Sequence, residues 1–199
     1  MSRNWEHIYE TRQDHPWTGS ESCERITAPL IEKYDPKPLR ALDVGCGEGD
    51  KSRWLAQRGF ETIGIDISKK AIATAQELNA DSESQVRYVN GNLANLSQLD
   101  VEGPFGLILD RASSQFLSVD EQSEYWTTIA DLLGHHGFMQ YEALELVGED
   151  APDLVQSLAL DKKDLITLLA GRFRIAEEYS RSSRHLPDTN VYGLVLSPA

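Results

Sequence analysis

Basic residues are scarce in this chain: 19 Lys and Arg stand against 32 Asp and Glu over 199 residues, a formal net charge of -13. No stretch gathers the basic residues, so counterion release, which drives binding to a phosphate backbone, has no source, and nucleic acid is an unsuitable partner. Cysteine is scarce too, with Cys23 and Cys46 the two present. Two thiols make no disulfide framework and fit a reducing compartment; no Cys/His cluster has metal-ligand spacing. No run approaches the ~18 apolar residues of a membrane span, and the opening MSRNWEHIYE lacks the apolar core of a signal peptide. The expectation is a cytoplasmic protein with no metal and no membrane partner, acting on a small or cationic molecule. Nothing in the sequence speaks to its oligomeric state.

What is present is an alternation of short apolar runs and amphipathic stretches. LRALDV (39–44), ETIGID (61–66), VRYVNG (86–91) and FGLILD (105–110) read as buried strands, and GFMQYEAL (137–144), FRIAEEYS (173–180) and VYGLVLS (191–197) as three more. Between them, 48–59, 68–79, 120–134 and 162–171 place apolar residues at helical spacing. Gly59 suits a helix C-terminus and Ser68 an N-cap; Ser118 with Glu121 spells a capping box, and Asp161 with Asp164 resembles one. Strand alternating with helix predicts a doubly wound, mostly parallel seven-stranded α/β sheet, because parallel strands need crossovers. About ten residues, RSSRHLPDTN, separate the last two strands and hold no helix, so those strands should form an antiparallel hairpin at one edge.

In such a sheet, ligands bind at the carboxyl ends of the strands. Asp43, Asp66 and Asp110 lie at three of those ends, as turn and cap residues or as ligand-facing carboxylates. The first strand runs into Gly45-Cys46-Gly47-Glu48-Gly49, and Asp66 follows Gly45 by 21 residues. Glycines that let backbone approach a ligand, with an acid about 20 residues on to accept ribose hydroxyls, point to a nucleoside. A dinucleotide turn wants Gly where this chain has Asp50, and Asp43, Glu48 and Asp50 would crowd a pyrophosphate. Each like-charge contact near 4 Å opposes binding by roughly 4 kcal/mol at an effective dielectric of about 20, before screening. A ligand carrying an ammonium and a sulfonium suits the same acids, and S-adenosylmethionine is such a ligand.

LDVGCGEGD (42–50), GIDIS (64–68), YVNGNLANL (88–96) and PFGLILDRASSQFLS (104–118) resemble, in order and spacing, the motifs of class I S-adenosylmethionine-dependent methyltransferases. The resemblance implies a Rossmann-like fold over residues 38–199, preceded by a lid and helix over 1–37 within one globular unit. It implies that Asp43, Gly45 and Gly47 hold the methionine end, Asp66 the ribose, and Ile67, Asn92 and Leu93 the adenine, with Asp110 also expected at the cofactor. Asn92 stands where an Asp is common, and its amide can both donate to and accept from adenine.

The N-terminus, with Trp5, Tyr9 and Trp17, is similar to the cofactor-covering lid of small thiol, thiopurine, halide and tellurite methyltransferases. A hydrophobic plug on the core is the alternative reading of these aromatics. Those relatives also carry Asp-Arg after the fourth strand, matched by Asp110-Arg111; a His found a few residues later is here Gln115. Catalytic or substrate-shaping side chains are expected in Asp110, Arg111, Tyr141, Glu142, Arg181, Arg184 and His185, with the arginines suited to an anionic group. Arg111 is expected to face a cleft and contribute little to the core. His135 and His136 are expected at the opposite edge. The function expected is methyl transfer to a small thiol, chalcogen compound or amine. Intramolecular cyclisation of the cofactor, or a non-catalytic interaction module, is the other reading.

Overall fold

The computed structural model of the chain describes residues 4–11, 17–83, 86–146, 162–183 and 189–199. Its centre is a seven-stranded sheet in the order β3-β2-β1-β4-β5-β7-β6, with β1 (Arg40–Val44), β2 (Glu61–Asp66), β3 (Val86–Asn90), β4 (Phe105–Arg111), β5 (Leu133–Leu146), β6 (Phe173–Ser182) and β7 (Thr189–Pro198). The first five strands pair in parallel, while β7 runs antiparallel to both β5 and β6. The expected hairpin is therefore present, and its second strand is inserted between β5 and the edge. Among the described residues no helix is long and apolar enough to cross a membrane.

Alternation along each strand builds two cores. On one face Leu42, Val44, Ile63, Ile65, Phe105, Ile108 and Leu194 pack against α5 (Val119–Leu132) and α6 (Lys162–Leu169) through Tyr125, Trp126, Ile129 and Leu165. On the other, Ala41, Leu107, Leu109, Phe138 and Val195 meet Cys23, Leu30, Trp54 and Leu55, from the turn Cys23–Thr27, α2 (Ala28–Tyr34) and α3 (Asp50–Ala56). Successive side chains on a strand point to opposite faces, so a strand buried on both sides reads as a continuous apolar run.

Helix ends follow local chemistry. Ser68 accepts from Ala71 N–H to cap α4 (Lys69–Asn79), and the Ser118–Glu121 capping box opens α5 with both bonds made. Asp161, the other expected cap, lies outside the described residues. The helix expected over 48–59 is shorter, because Glu48 and Gly49 belong to the preceding turn and Gly49, at a φ of 79°, is its cap. The expected fifth strand gains residues at both ends, for Leu133 pairs Phe105 and His136 bridges Lys37 ahead of the 137–144 core. Both histidines are exposed at the amino end of β5, away from the carboxyl ends of the parallel strands.

Candidate active site

The turn after β1 is shaped by backbone that suits glycine. Gly45 and Gly47 have φ of 68° and 56°, a region that residues with a Cβ rarely adopt. A Cβ on Gly45 would collide with the Ser113 side chain, and one on Gly47 would stand 2.6 Å from the Tyr9 hydroxyl. Beneath this turn the Asp66 carboxylate accepts Gly47 N–H and Ser68 N–H, each at 2.9 Å. Asp66 is buried, and burial raises its pKa above the ordinary aspartate range, though the two backbone bonds oppose that shift. Each carboxylate oxygen offers two lone pairs, so one on each is left for a ribose hydroxyl. Ile67 next to it is 46% exposed, an apolar surface for a base to lie on. Asn92 spends its carbonyl oxygen on Ala94 N–H at 3.0 Å, so its amide NH2 is the part left for a ligand, and Leu93 is buried beneath. A cradle of left-handed backbone, a carboxylate with spare acceptors and an exposed aliphatic side chain fit a nucleoside cofactor.

Asp43 is buried and accepts Ser52 Oγ at 2.6 Å. Burial raises its pKa, while Lys51 opposes the rise; the Lys51 ammonium is itself pushed down by burial and by Arg111. Lys51 donates to the Trp17 carbonyl at 3.2 Å. Nothing in the sequence marked Lys51, since a lysine in the first turn of a helix reads as a solvated charge. Asp50 is also engaged, by Arg53 and by Gly19 N–H at 2.8 Å.

The N-terminal segment lies across this turn. Tyr9, on α1 (Trp5–Thr11), is buried, and its hydroxyl accepts Trp17 Nε1 at 3.1 Å. Trp5 meets Trp17 and Phe116 edge-on, with ring centroids 6.0 and 5.1 Å away. Glu6 accepts Ser68 Oγ at 2.7 Å and Lys70 N–H at 3.2 Å, which ties α1 to the start of α4.

The side chains expected together at the end of β4 are separated by strand parity. Asp110 shares the face of Ile108 and is fully buried: it accepts Ser113 N–H, Ser114 N–H and Tyr125 Oη, the last at 2.7 Å. Ala112, at a φ of 61°, turns the chain so that those amides come back to it. Tyr141 faces the same side, buried with its ring 5.2 Å from Trp126. Arg111 points the other way, toward Ser22 Oγ at 2.7 Å and Glu142 Oε2 at 2.9 Å. The arginine expected in an open cleft is instead 12% exposed and paired with a carboxylate 3% exposed. Arg181 Nη2 reaches the same Oε2 at 3.1 Å. Glu142 Oε1 takes Tyr179 Oη at 3.0 Å and Gln140 Nε2 at 3.4 Å, and Gln140 accepts Thr27 Oγ1 at 2.8 Å. Burial acts to raise the Glu142 pKa, but Arg111 and Arg181 outweigh it and hold the carboxyl below the usual range. Gln115, where relatives carry His, is buried and accepts Leu144 N–H at 2.8 Å, a tie between the turn and β5. Arg184 and His185 lie outside the described residues.

Residues 41–137 match the methyltransferase domain family. The chain is similar to the O-antigen chain terminator bifunctional methyltransferase/kinase WbdD of Escherichia coli, 28% identical over 159 residues, which are 73% of this chain and 22% of that protein. It is also similar to the ubiquinone biosynthesis O-methyltransferase of Caulobacter sp. (strain K31), 34% identical over 103 residues, or 51% of this chain and 39% of that one. The chain thus spans less than half the length of either relative. Among solved structures, an S-adenosylmethionine-dependent methyltransferase from Clostridium acetobutylicum ATCC 824 superposes with a TM-score of 0.74 at 13% identity, covering 98% of both chains. Residues 41–137 are thus similar to a methyltransferase domain, and the chain shares the fold of an S-adenosylmethionine-dependent methyltransferase.

Proposed function

We propose that the protein transfers a methyl group from S-adenosylmethionine to a small-molecule nucleophile, a thiol, chalcogen compound or amine. The observation that carries the reading is Asp66 beneath the Gly45–Gly47 turn, with spare acceptors beside an exposed Ile67. When bound, S-adenosylmethionine supplies an electrophilic methyl on a sulfonium. Asp66 accepts the ribose hydroxyls, Gly45 and Gly47 present backbone to the methionine end with Asp43 beneath, and Ile67, Asn92 and Leu93 border the adenine. Trp5, Tyr9 and Trp17 cover the cofactor and exclude water from the transfer.

A methyl displacement needs chiefly alignment of the nucleophile about 3 Å from the reacting carbon. Asp110 holds the turn of Ser113 and Ser114 against Gly45, and Arg111 ties the end of β4 to Glu142 on β5. The small-acceptor reading is supported by the aromatic N-terminal segment packed over the turn and by the -13 charge, which opposes nucleic acid. A screen of small thiols, selenols, phenols and amines, scored by S-adenosylhomocysteine release, tests it. Turnover of one of these classes is the expected result. Methylation of nucleic acid or protein with no small acceptor would overturn it, and methylthioadenosine as product would show intramolecular cyclisation.

A further inference from the structure

We propose that Arg111, Glu142 and Arg181 form a carboxylate receptor, and that the methyl acceptor carries an anionic carboxylate group bound there. The inference rests on the methyltransferase reading for what the carboxylate belongs to, but the cluster's own geometry carries it.

Charge is the first observation. Two guanidinium groups meet one carboxylate oxygen, Arg111 Nε at 2.9 Å and Arg181 Nη2 at 3.1 Å. With Tyr179 and Gln140 on the other oxygen, four donors fill the roughly four acceptor sites of Glu142. One arginine would complete a structural ion pair. The second leaves an excess of one positive charge. Lys51 also faces Arg111, but Asp43 stands beside it and balances it, so the excess stays at the end of β4 and β5.

An idle donor is the second observation. Arg181 Nε is buried and has no hydrogen-bond partner among the described residues. A buried N–H of a guanidinium is costly without an acceptor and calls for one. A guanidinium with Nη2 committed and Nε–H left over takes an oxyanion as its natural partner. The excess of one positive charge is balanced by a monoanion, whereas a phosphate dianion would leave one net negative charge at the cluster.

Position assigns this anion to the acceptor. Neighbouring strands lie about 4.8 Å apart, so Glu142, two strands beyond β1, stands on the order of 10 Å from the glycine turn, and Arg181 reaches it from farther out on β6. Alternation puts Arg111, Glu142 and Arg181 on the face of Cys23 and Thr27, with Glu142 and Arg181 on strands beyond the glycine turn and its ribose acid. An acceptor whose nucleophile and carboxylate lie within that span would reach from the cofactor's methyl to this cluster.

Calorimetric titration of benzoate and benzamide into protein saturated with S-adenosylhomocysteine tests the proposal. Benzoate should bind and benzamide should not. Arg181→Met should weaken benzoate about tenfold or more and leave S-adenosylhomocysteine affinity unchanged. Arg181→Lys, which keeps the charge, should fall between. Glu142→Gln removes the internal competitor and should tighten benzoate, where a merely structural network would give no tightening. Equal binding of benzoate and benzamide overturns the proposal. So does an Arg181→Met variant that loses S-adenosylhomocysteine instead, because the cluster would then hold the cofactor's own carboxylate. Should the native protein fail to bind S-adenosylhomocysteine, the methyltransferase reading falls, and the same titration without it judges the receptor alone.

Discussion

Asp66 and Asp110 both end apolar strands and both are buried, yet their neighbours give them different work. Asp66 takes one backbone N–H on each oxygen and keeps acceptors for a ligand, so Asp66→Ala should weaken S-adenosylhomocysteine binding by about 1.5–3 kcal/mol in calorimetry. An unchanged affinity in a folded variant would reduce Asp66 to a turn residue. Burial first, with Asp43 adding to it, raises the Asp66 pKa against the bonds from Ser68 and Gly47. Between the ordinary and the raised values the folded chain holds a proton that the unfolded chain releases, so acidification through that window adds stability while it removes acceptor charge. Cofactor affinity should therefore decline on acidification before stability does, which titrations across mildly acidic pH would show. Asp110 is fully buried and held by Ser113, Ser114 and Tyr125, and Tyr125→Phe would leave a buried oxygen without a donor. The expected loss is about 1–3 kcal/mol of stability in denaturant unfolding, with cofactor affinity preserved. The sequence placed three acids at strand ends but could not separate these roles, because the difference lies in which amides turn back toward each carboxylate. Its electrostatic case against a pyrophosphate is weaker in the folded chain, where Lys51 faces Asp43 and Arg53 holds Asp50.

Elements were legible wherever periodicity was clean. The strands β1 to β4 and the caps at Ser68 and Ser118 needed local chemistry alone. The start of β5 was hidden, because His135 and His136 interrupt the apolar pattern and the strand is held there by pairing with Phe105 and Lys37. Tyr179 was hidden likewise. Its ring fills the space over Gly193, where a Cβ would collide with it, and that cross-strand pairing of an aromatic with glycine was the signal available. The N-terminal helix α1 has seven residues, too few to be stable alone, so its order depends on Tyr9, Trp5 and Glu6 meeting the turn, Phe116 and Ser68. A cofactor seated under Tyr9 would add to that packing. Amide exchange over residues 5–11 should slow when S-adenosylhomocysteine is added. Slow exchange without ligand, unaltered by it, would identify α1 as a fixed plug.

At the scale of the molecule, the alternation of strand and helix dictated a parallel sheet and the short final connection dictated a hairpin. It did not dictate which hairpin strand would meet β5, since either order satisfies the local pairing. The inner strand is β7, whose Val191, Tyr192, Leu194, Val195 and Leu196 are buried, while the edge strand β6 carries Arg174, Glu177, Glu178 and Arg181. An edge with charged side chains resists pairing with another chain, so the choice follows from charged side chains and exposure together. The same charge acts on the whole fold. A surplus of 13 negative charges repels itself in the compact state, whereas exposed ion pairs such as Lys33–Glu177, Arg58–Glu24 and Arg87–Asp100 contribute little. Salt weakens both, and the two effects oppose one another. The net surplus acts over longer distances than the pairs do, so screening should relieve more repulsion than attraction once the Debye length falls from ~30 Å at about 10 mM to a few ångströms near 1 M. Thermal unfolding in sodium chloride over that range should therefore show a rise in Tm of a few degrees, corresponding to about 1 kcal/mol for a chain of this size. Potassium chloride should give the same rise, because screening depends on ionic strength and not on the cation. A fall in Tm with either salt would show that the ion pairs outweigh the surplus.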